Sequence, residues 1–539
     1  MYESYKGPWD HESDIVIVGF GGAGGCAAAE AHDAGADVVI LEKQPQNRHY
    51  SNTRMSGGGF HSPEPTGDRE ALKAYAKAMF SGENLPWKFE GDQEDYSDGL
   101  AEMWAEYAPQ NAAFMQSLDP DFHSVRSAGA AYPNFPGAEQ SKYSIYNSTY
   151  DKSATKKPKV QSSPKTPRYK KEAGEAFHEC LLHGINKRGI PIHYDTRVMN
   201  LLHDEAGEII GVEAIQGKKT LRYHSRKAVI LASGGYEYNK TLRSAFLDGP
   251  GVDGWAFYGT PANTGDGIIM GMESGAALSK VGSAAGRLIA SFPDFRAGGI
   301  RIGVAMPAVG KPNAILVDNL GSRFCDEREI TQNPTCYITY KYALAFDINK
   351  GIYPRIPAWF VFDENLRTLK ALTHSNITEY FDAPWSTDNH EAIDRGWILK
   401  ADTLEELGGK IKAHPDNHGL MNTETLCRSV SRFNESCAQG DDQDFHRELK
   451  TLKPVEKPPF YAIALFPGGP NTKGGLKANE KRQVLDWNGR VIPRLYAAGE
   501  IASVFKYMYQ AGGNVGECIV CGRVAGLGAA REINYKERR

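Results

Sequence analysis

Gly19-Phe20-Gly21-Gly22-Ala23-Gly24 places glycines at the first, third and sixth positions of a G-x-G-x-x-G run, and the chemistry served by that spacing is the holding of a diphosphate. Gly19 permits a tight turn, Gly21 lets the backbone approach a pyrophosphate, and Gly24 lets a helix pack closely on a strand. Gly22 and Ala23 stand where the helix opens, and its first N–H groups can point at an anion. Glu42, with Lys43 behind it, follows at about the 20-residue spacing of a carboxylate that accepts ribose hydroxyls. A second run, Ser51-Asn52-Thr53-Arg54-Met55-Ser56-Gly57-Gly58-Gly59, is rich in hydroxyls and ends in three glycines. Such a loop can lay N–H and hydroxyl donors along an extended diphosphate and the edge of an isoalloxazine. It favours FAD over NAD. Three later segments support the same cofactor: Ala232-Ser233-Gly234 in ASGGYEYN, Asn263 to Gly267 (NTGDG, with Asp266), and Gly499-Glu500 in LYAAGE.

The elements that must position these residues follow from pattern. Asp14 to Val18 (DIVIV) is an apolar β-branched run that ends in the glycines, a small-residue stretch reads as helix, and ADVVILEK reads as a second strand. Residues 14–43 thus predict a compact βαβ unit. Further strand-like runs, KAVILASGG and RLYAAGE, lie hundreds of residues away and end in small residues, as buried parallel strands approaching a ligand do. The nucleotide domain is therefore expected to be discontinuous.

The expected architecture is α/β, a Rossmann-type FAD-binding domain (1–290 and 456–539) interrupted by a mixed α/β cap at 291–455. The Lys-, Ser- and Pro-rich segment 151–172 reads as a loop or lid. Its cations either keep an exposed loop solvated or attract an anionic substrate.

The balance of 62 basic against 66 acidic residues supplies no global field for nucleic acid. Eight scattered cysteines (26, 180, 325, 336, 427, 437, 518 and 521) form no disulfide framework, which favours a reducing cytoplasm. No leader and no membrane span are expected, since no apolar run approaches roughly 18 residues. No metal centre is expected either: the Cys518-x-x-Cys521 pair has no second pair to match it.

The ordered series SNTRMSGGG, ASGGYEYN, NTGDGI, NTKGGL, VIPRLYAAGE and GRVAG resembles the fumarate reductase and 3-ketosteroid dehydrogenase superfamily over nearly the whole chain. The resemblance implies a flavin domain interrupted by a catalytic cap, with hydride exchange at flavin N5. It carries FAD contacts to Gly19, Gly21, Gly24, Glu42, Ser51, Thr53, Ser56, Gly58, Val198, Ala232, Asp266 and Glu500. Gly513, Asn514 and Val515 open the helix on which the family's flavin rests. Ser51 stands where covalently flavinylated relatives place a His, and His49 is two residues out of register, so non-covalent FAD is implied.

Fumarate-reducing relatives clamp their dicarboxylate with a His before T-x-G-G and an Arg before G-G-N. Here those positions hold Asn471 and Gln510. A dicarboxylate would lose charge-assisted hydrogen bonds of about 1.5–3 kcal/mol each. The chain is more similar to the 3-ketosteroid dehydrogenase branch, in which a Tyr four residues before a Gly donates with that Gly's N–H to a ketone oxygen. Tyr509 and Gly513 match, and such an oxyanion hole acidifies the α-carbon. The resemblance further implies a Tyr base in the cap, here Tyr337 with Tyr340 behind it, and a helper Tyr before a Pro-containing turn, here Tyr132. With 26 tyrosines present, most are packing residues. A phenolate base also needs neighbours that lower a pKa of about 10.

The expected activity is a desaturase that forms a C=C bond α,β to the ketone of a cyclic substrate, a 3-ketosteroid or an oxo-cyclohexane carboxylic acid, and passes electrons to an external acceptor. The same residues serve an ene-reductase run in reverse with an external donor. A third reading is a flavin-binding module whose active site has decayed.

Overall fold

The computed structural model describes residues 4–81, 97–127, 132, 134–141, 145–151, 170–331, 336–373, 381–505 and 508–535. Most of the basic segment 151–172 lies outside the described residues. The chain divides into two compact units, one of residues 1–239, 259–283 and 472–539, the other of residues 240–258 and 284–471.

The first unit is built on a largely parallel sheet in the order Gln483–Leu485, Val491–Ala497, Lys219–Leu231, His11–Val18, Val38–Leu41, Ile192–His193. Its inner strands are runs of buried aliphatics, Ile15 to Val18 and Val38 to Leu41 among them, as a sheet covered on both faces requires. In register, Val18 lies beside Leu231 and Leu41, and Leu231 beside Ala497. The strands therefore end level, so Gly19, Glu42, Ala232 and Ala498 leave along one edge. Four motifs spread over nearly 500 residues are gathered there by strand order alone, at the carboxyl ends where open α/β sheets bind ligands.

Two helices cover this region, Gly22–Asp33 and Gly513–Ala530. Their contact is glycine-mediated: a Cβ on Gly522 would fall 2.5 Å from the Ala23 carbonyl oxygen, and one on Gly526 2.3 Å from that of Ala27. Cys518 and Cys521 lie in the second helix, their thiols pushed up by burial, with a Cβ on Gly22 reaching within 3.0 Å of Cys518 Cβ. A smaller antiparallel sheet pairs Ile145–Asp151 with Gly59–His61, Phe122–Ser127 and Lys170–Glu172.

The second unit is centred on Ala358–Asp363, whose six residues are all buried. It pairs antiparallel with Ala314–Val317 and with the start of Phe460–Leu476. Two capped helices flank the sheet: Thr403 accepts the Glu406 N–H at 3.1 Å at the start of Leu404–Ala413, and Asn422 accepts that of Thr425 at 2.9 Å at the start of Thr423–Gln439. Such caps satisfy N–H groups that the helix leaves without acceptors. The mixed α/β fold expected from the sequence is the fold observed.

Candidate active site

The glycines of the first turn are each needed for a different reason. Gly19 has φ +105°, and a Cβ there would lie 2.7 Å from the Ala232 carbonyl oxygen. A Cβ on Gly24 would sit 2.0 Å from the Gly19 carbonyl oxygen. Gly21 meets only Ser51 Cβ, at 3.8 Å, so its backbone is open to close approach. Gly21 caps the helix without a side-chain bond, and no acidic residue stands in the first turn, which leaves the positive end of the helix dipole for an anion. The Gly22 N–H donates to Thr53 Oγ1 at 3.0 Å, which ties the hydroxyl loop to this turn.

Glu42 is buried at the end of its strand and accepts the Phe20 and Gln44 N–H groups, both at 2.8 Å. Burial pushes its carboxyl up, but His49, with Nε2 3.6 Å away, and the two N–H groups outweigh it and hold the pKa below the usual value. It is thus an ionised acceptor at the sheet edge, as a ribose-binding carboxylate must be.

In the hydroxyl loop Ser51 caps the short helix Asn52–Met55 by accepting the Arg54 N–H, while Ser56 donates to the Thr53 carbonyl at 2.7 Å and accepts from Gly58 at 3.0 Å. Gly58 has φ +64°, and its missing Cβ would overlap Ala173; Gly57 has open space, and Gly59 begins the next strand. These serines and Gly58 shape the loop. Lys43 donates to Thr264 Oγ1 at 2.7 Å and to Asp266 at 3.0 Å, and Arg197 grips Asp266 with two bonds of 3.1 Å, beside buried Val198. Burial would raise the Asp266 pKa, but Arg197 and Lys43 hold it below the usual value. Ser233 Oγ is buried and has no hydrogen-bond partner among the described residues, as a hydroxyl that bonds a ligand would have. The Gly267 backbone lies against that hydroxyl, Gly234 (φ +76°) against Asn263, and Gly499 (φ +81°) against Ala23.

A carboxylate pair absent from the sequence reading sits at the centre of these segments. Asn52 Nδ2 donates to Glu237 Oε1 at 3.0 Å and to Glu500 Oε2 at 3.2 Å. Thr472 gives its N–H to Glu237 at 3.2 Å and its hydroxyl to Glu500 at 3.0 Å, and Asn263 approaches Glu237 at 3.4 Å. Burial raises both carboxyls, Glu500 well above its usual value with Glu237 adding to the effect. Glu500 is one of the expected FAD contacts, whereas for Glu237 the only advance signal was its place inside ASGGYEYN.

At the closing helix the Tyr509 phenol oxygen accepts the Asn514 N–H at 3.2 Å, and Lys473 Nζ lies 5.5 Å from the centre of its ring. Tyr132 bonds the Tyr509 backbone at both N–H (3.1 Å) and carbonyl (3.2 Å). Tyr132 and Tyr509 are therefore brought together. The Gly513 N–H donates to the Gln510 carbonyl at 2.7 Å, and Val515 is buried in the same first turn. Gln510 is 1% exposed, and its side-chain oxygen accepts the Tyr75 hydroxyl at 2.7 Å.

In the second unit the Arg287 guanidinium lies over the Tyr337 ring at 5.2 Å, a cation–π contact that orients the ring. Arg287 gave no sequence signal. Tyr340, three residues on, is 2% exposed, receives the Ala284 N–H at 3.4 Å, and packs against Trp255. Burial pushes its phenol up to about 12, opposite to the shift that a base near neutral pH needs. Tyr340 is shaped as a packing residue.

The family model described as an FAD binding domain matches residues 14–515. The chain belongs to that family. It is a flavoprotein oxidoreductase, and the Gly19 turn, Glu42, Ser233 and Glu500 are the kinds of group that an adenosine, a diphosphate and polyol hydroxyls require. The chain is 28% identical to the 3-oxosteroid 1-dehydrogenase of Mycobacterium tuberculosis, across 97% of this chain and 99% of that protein. It is 29% identical to the NADH:acrylate oxidoreductase of Vibrio harveyi, across 96% of this chain, and it spans half the length of that protein. Its fold matches the 3-ketosteroid delta1-dehydrogenase of Sterolibacterium denitrificans, solved with 1,4-androstadiene-3,17-dione, at TM-score 0.75 and 21% identity, over 96% of this chain and 99% of that one. Among the described residues no helix is long and apolar enough to cross a membrane.

Proposed function

We propose that this flavoprotein introduces a C=C bond α,β to the ketone of a cyclic substrate, a 3-ketosteroid or an oxo-cyclohexane carboxylic acid, in the cytoplasm and with FAD held non-covalently. The observation that carries the reading is the setting of Tyr509: its phenol oxygen receives the Asn514 N–H while Tyr132 fixes its backbone. A hydrogen bond received by a phenol polarises its O–H. Donated to a ketone, that O–H stabilises the enolate character that grows as the α-proton leaves. The Gly513 N–H serves as second donor when the substrate carbonyl displaces the Gln510 carbonyl from it.

Tyr337 is assigned as the base, with its ring oriented by Arg287. It takes the α-hydrogen as a proton, the electrons of that C–H bond become the new π bond, and the β-hydrogen departs with its electron pair. FAD supplies the two-electron acceptor, and an external acceptor restores it. Where a dicarboxylate clamp would need cations, Asn471 and Gln510 are neutral and buried, and Gln510 is bonded to Tyr75. The similarity to 3-oxosteroid 1-dehydrogenase supports the same substrate class.

Anaerobic mixing of the oxidised protein with a panel of cyclic ketones tests the reading: loss of the flavin's visible absorbance, with an enone as product, is expected. The reverse reading, an ene-reductase, is favoured by the similarity to an acrylate reductase. Re-oxidation of the reduced protein by enones or acrylate, with no bleaching by any ketone, would decide for it.

A further inference from the structure

We propose that Glu237 is a positioning residue for the cofactor: it shares one proton with Glu500 and thereby holds that carboxylate, with Asn52 and Thr472, in the arrangement that closes the FAD-binding segments on one another.

The geometry around Asn52 calls for the proton. Its Nδ2 donates to Glu237 Oε1 at 3.0 Å and to Glu500 Oε2 at 3.2 Å, so the two carboxyl groups sit around one nitrogen, and like charges in such a site do not both ionise. An ionised carboxylate can only accept, so the group that keeps its hydrogen is the one that can donate to the other. Burial, which raises both groups, acts in the same direction.

The surrounding charges leave the proton no substitute. Lys473, the cation that acts on Glu500, is buried and ion-paired with Glu517 at 2.6 Å. Lys280, also buried, donates to the Val504 carbonyl. Lys43 and Arg197 are paired with Asp266, and Arg54 with Glu175. Arg482, buried as well, donates to the Ala497 and Ala502 carbonyls. With Lys473 engaged by Glu517, a second negative charge on the Glu237 and Glu500 pair would be costly in a low-dielectric interior.

The pair is also where distant segments meet. Asn52 comes from the hydroxyl loop, Glu237 from ASGGYEYN, Asn263 from NTGDG, Thr472 from NTKGG and Glu500 from LYAAGE. Asn52 Oδ1 further accepts the Thr260 N–H at 2.7 Å, and Thr472 Oγ1 the Tyr236 N–H at 3.1 Å. The fit is tight, since a Cβ on Gly235 would lie 1.8 Å from Glu500 Oε1. Four segments expected to touch one cofactor, together with the Thr472 turn, thus converge on one proton.

The test is FAD release from the purified holoprotein, followed by flavin fluorescence across about pH 5 to 9. Because the closed pair binds a proton that the separated carboxyls lose at lower pH, FAD affinity should fall as pH rises from the ordinary carboxyl range of about 4.3 towards the pair's upper pKa, by up to about tenfold per unit, and level off above it. Glu237→Gln, whose amide donates permanently to Glu500, should retain FAD and flatten the profile. Glu237→Ala should weaken binding at every pH. Infrared difference spectra against Glu237→Gln should show a protonated-carboxyl band in the wild type near neutral pH. A wild-type profile as flat as that of Glu237→Gln, or spectra without that band, would overturn the proposal. None of these readouts depends on which substrate is oxidised or reduced.

Discussion

Tyr132 holds Tyr509 by both polar groups of its main chain, its phenol donating to the Tyr509 carbonyl at 3.2 Å and accepting the Tyr509 N–H at 3.1 Å. The two residues are 377 positions apart in sequence. Where the resemblance marks Tyr132 only as a helper, the geometry shows it bracing the Tyr509 backbone, which under the proposed function would orient the Tyr509 phenol.

That bracing predicts the outcome of Tyr132→Phe. Loss of two hydrogen bonds of about 1 kcal/mol each should lower kcat/KM by roughly 10- to 30-fold, with FAD content unchanged. Steady-state turnover of a cyclic ketone beside the flavin absorbance spectrum measures both, and unchanged turnover would remove Tyr132 from the site.

Tyr509→Phe deletes the donor itself. On the order of a 10²-fold loss of kcat is expected, as for other oxyanion donors, with substrate binding measured by spectral titration changed far less. A variant that retains full turnover of every ketone and enone would instead favour a decayed, binding-only role.

Gly24 and Gly409 make a matched pair for stability. Gly24→Ala would force a methyl to within 2.0 Å of the Gly19 carbonyl oxygen, so FAD loss and destabilisation of about 1–3 kcal/mol are expected. Gly409 lies exposed inside the helix Leu404–Ala413 with nothing within 4 Å of an added Cβ. Gly409→Ala should stabilise by about 0.5–1 kcal/mol. Thermal melts with and without added FAD read both, and a Gly24→Ala protein that melts like the wild type would show the turn to be more open than this geometry.

Acid should act on Glu42. Its carboxyl is held below the usual value by His49 and two backbone N–H groups despite burial. A depressed folded pKa contributes stability that is present above the unfolded value of about 4.3 and lost as pH falls through the folded one. FAD release should therefore rise below about pH 4 in the wild type, and Glu42→Gln should lose that component while binding FAD more weakly at neutral pH. Equal acid sensitivity in both proteins would assign the loss to other groups.

The sequence by itself determined the strand, turn and helix of residues 14–43, the roles of Gly19 and Gly24, the acidic residue that follows, and membership among FAD-binding proteins. These are properties of backbone conformation and local spacing, which a short stretch of residues encodes directly. Only the tertiary structure decided which distant side chains share an environment: Glu237 with Glu500, Lys43 with Asp266, Gln510 with Tyr75, Arg287 beside Tyr337 and Tyr340 sealed in a core. Such pairings depend on strand order and on burial, and burial sets whether a carboxyl keeps its proton or a phenol can lose one. No single segment carries that information, because each group's chemistry is fixed by neighbours that the chain delivers from hundreds of residues away.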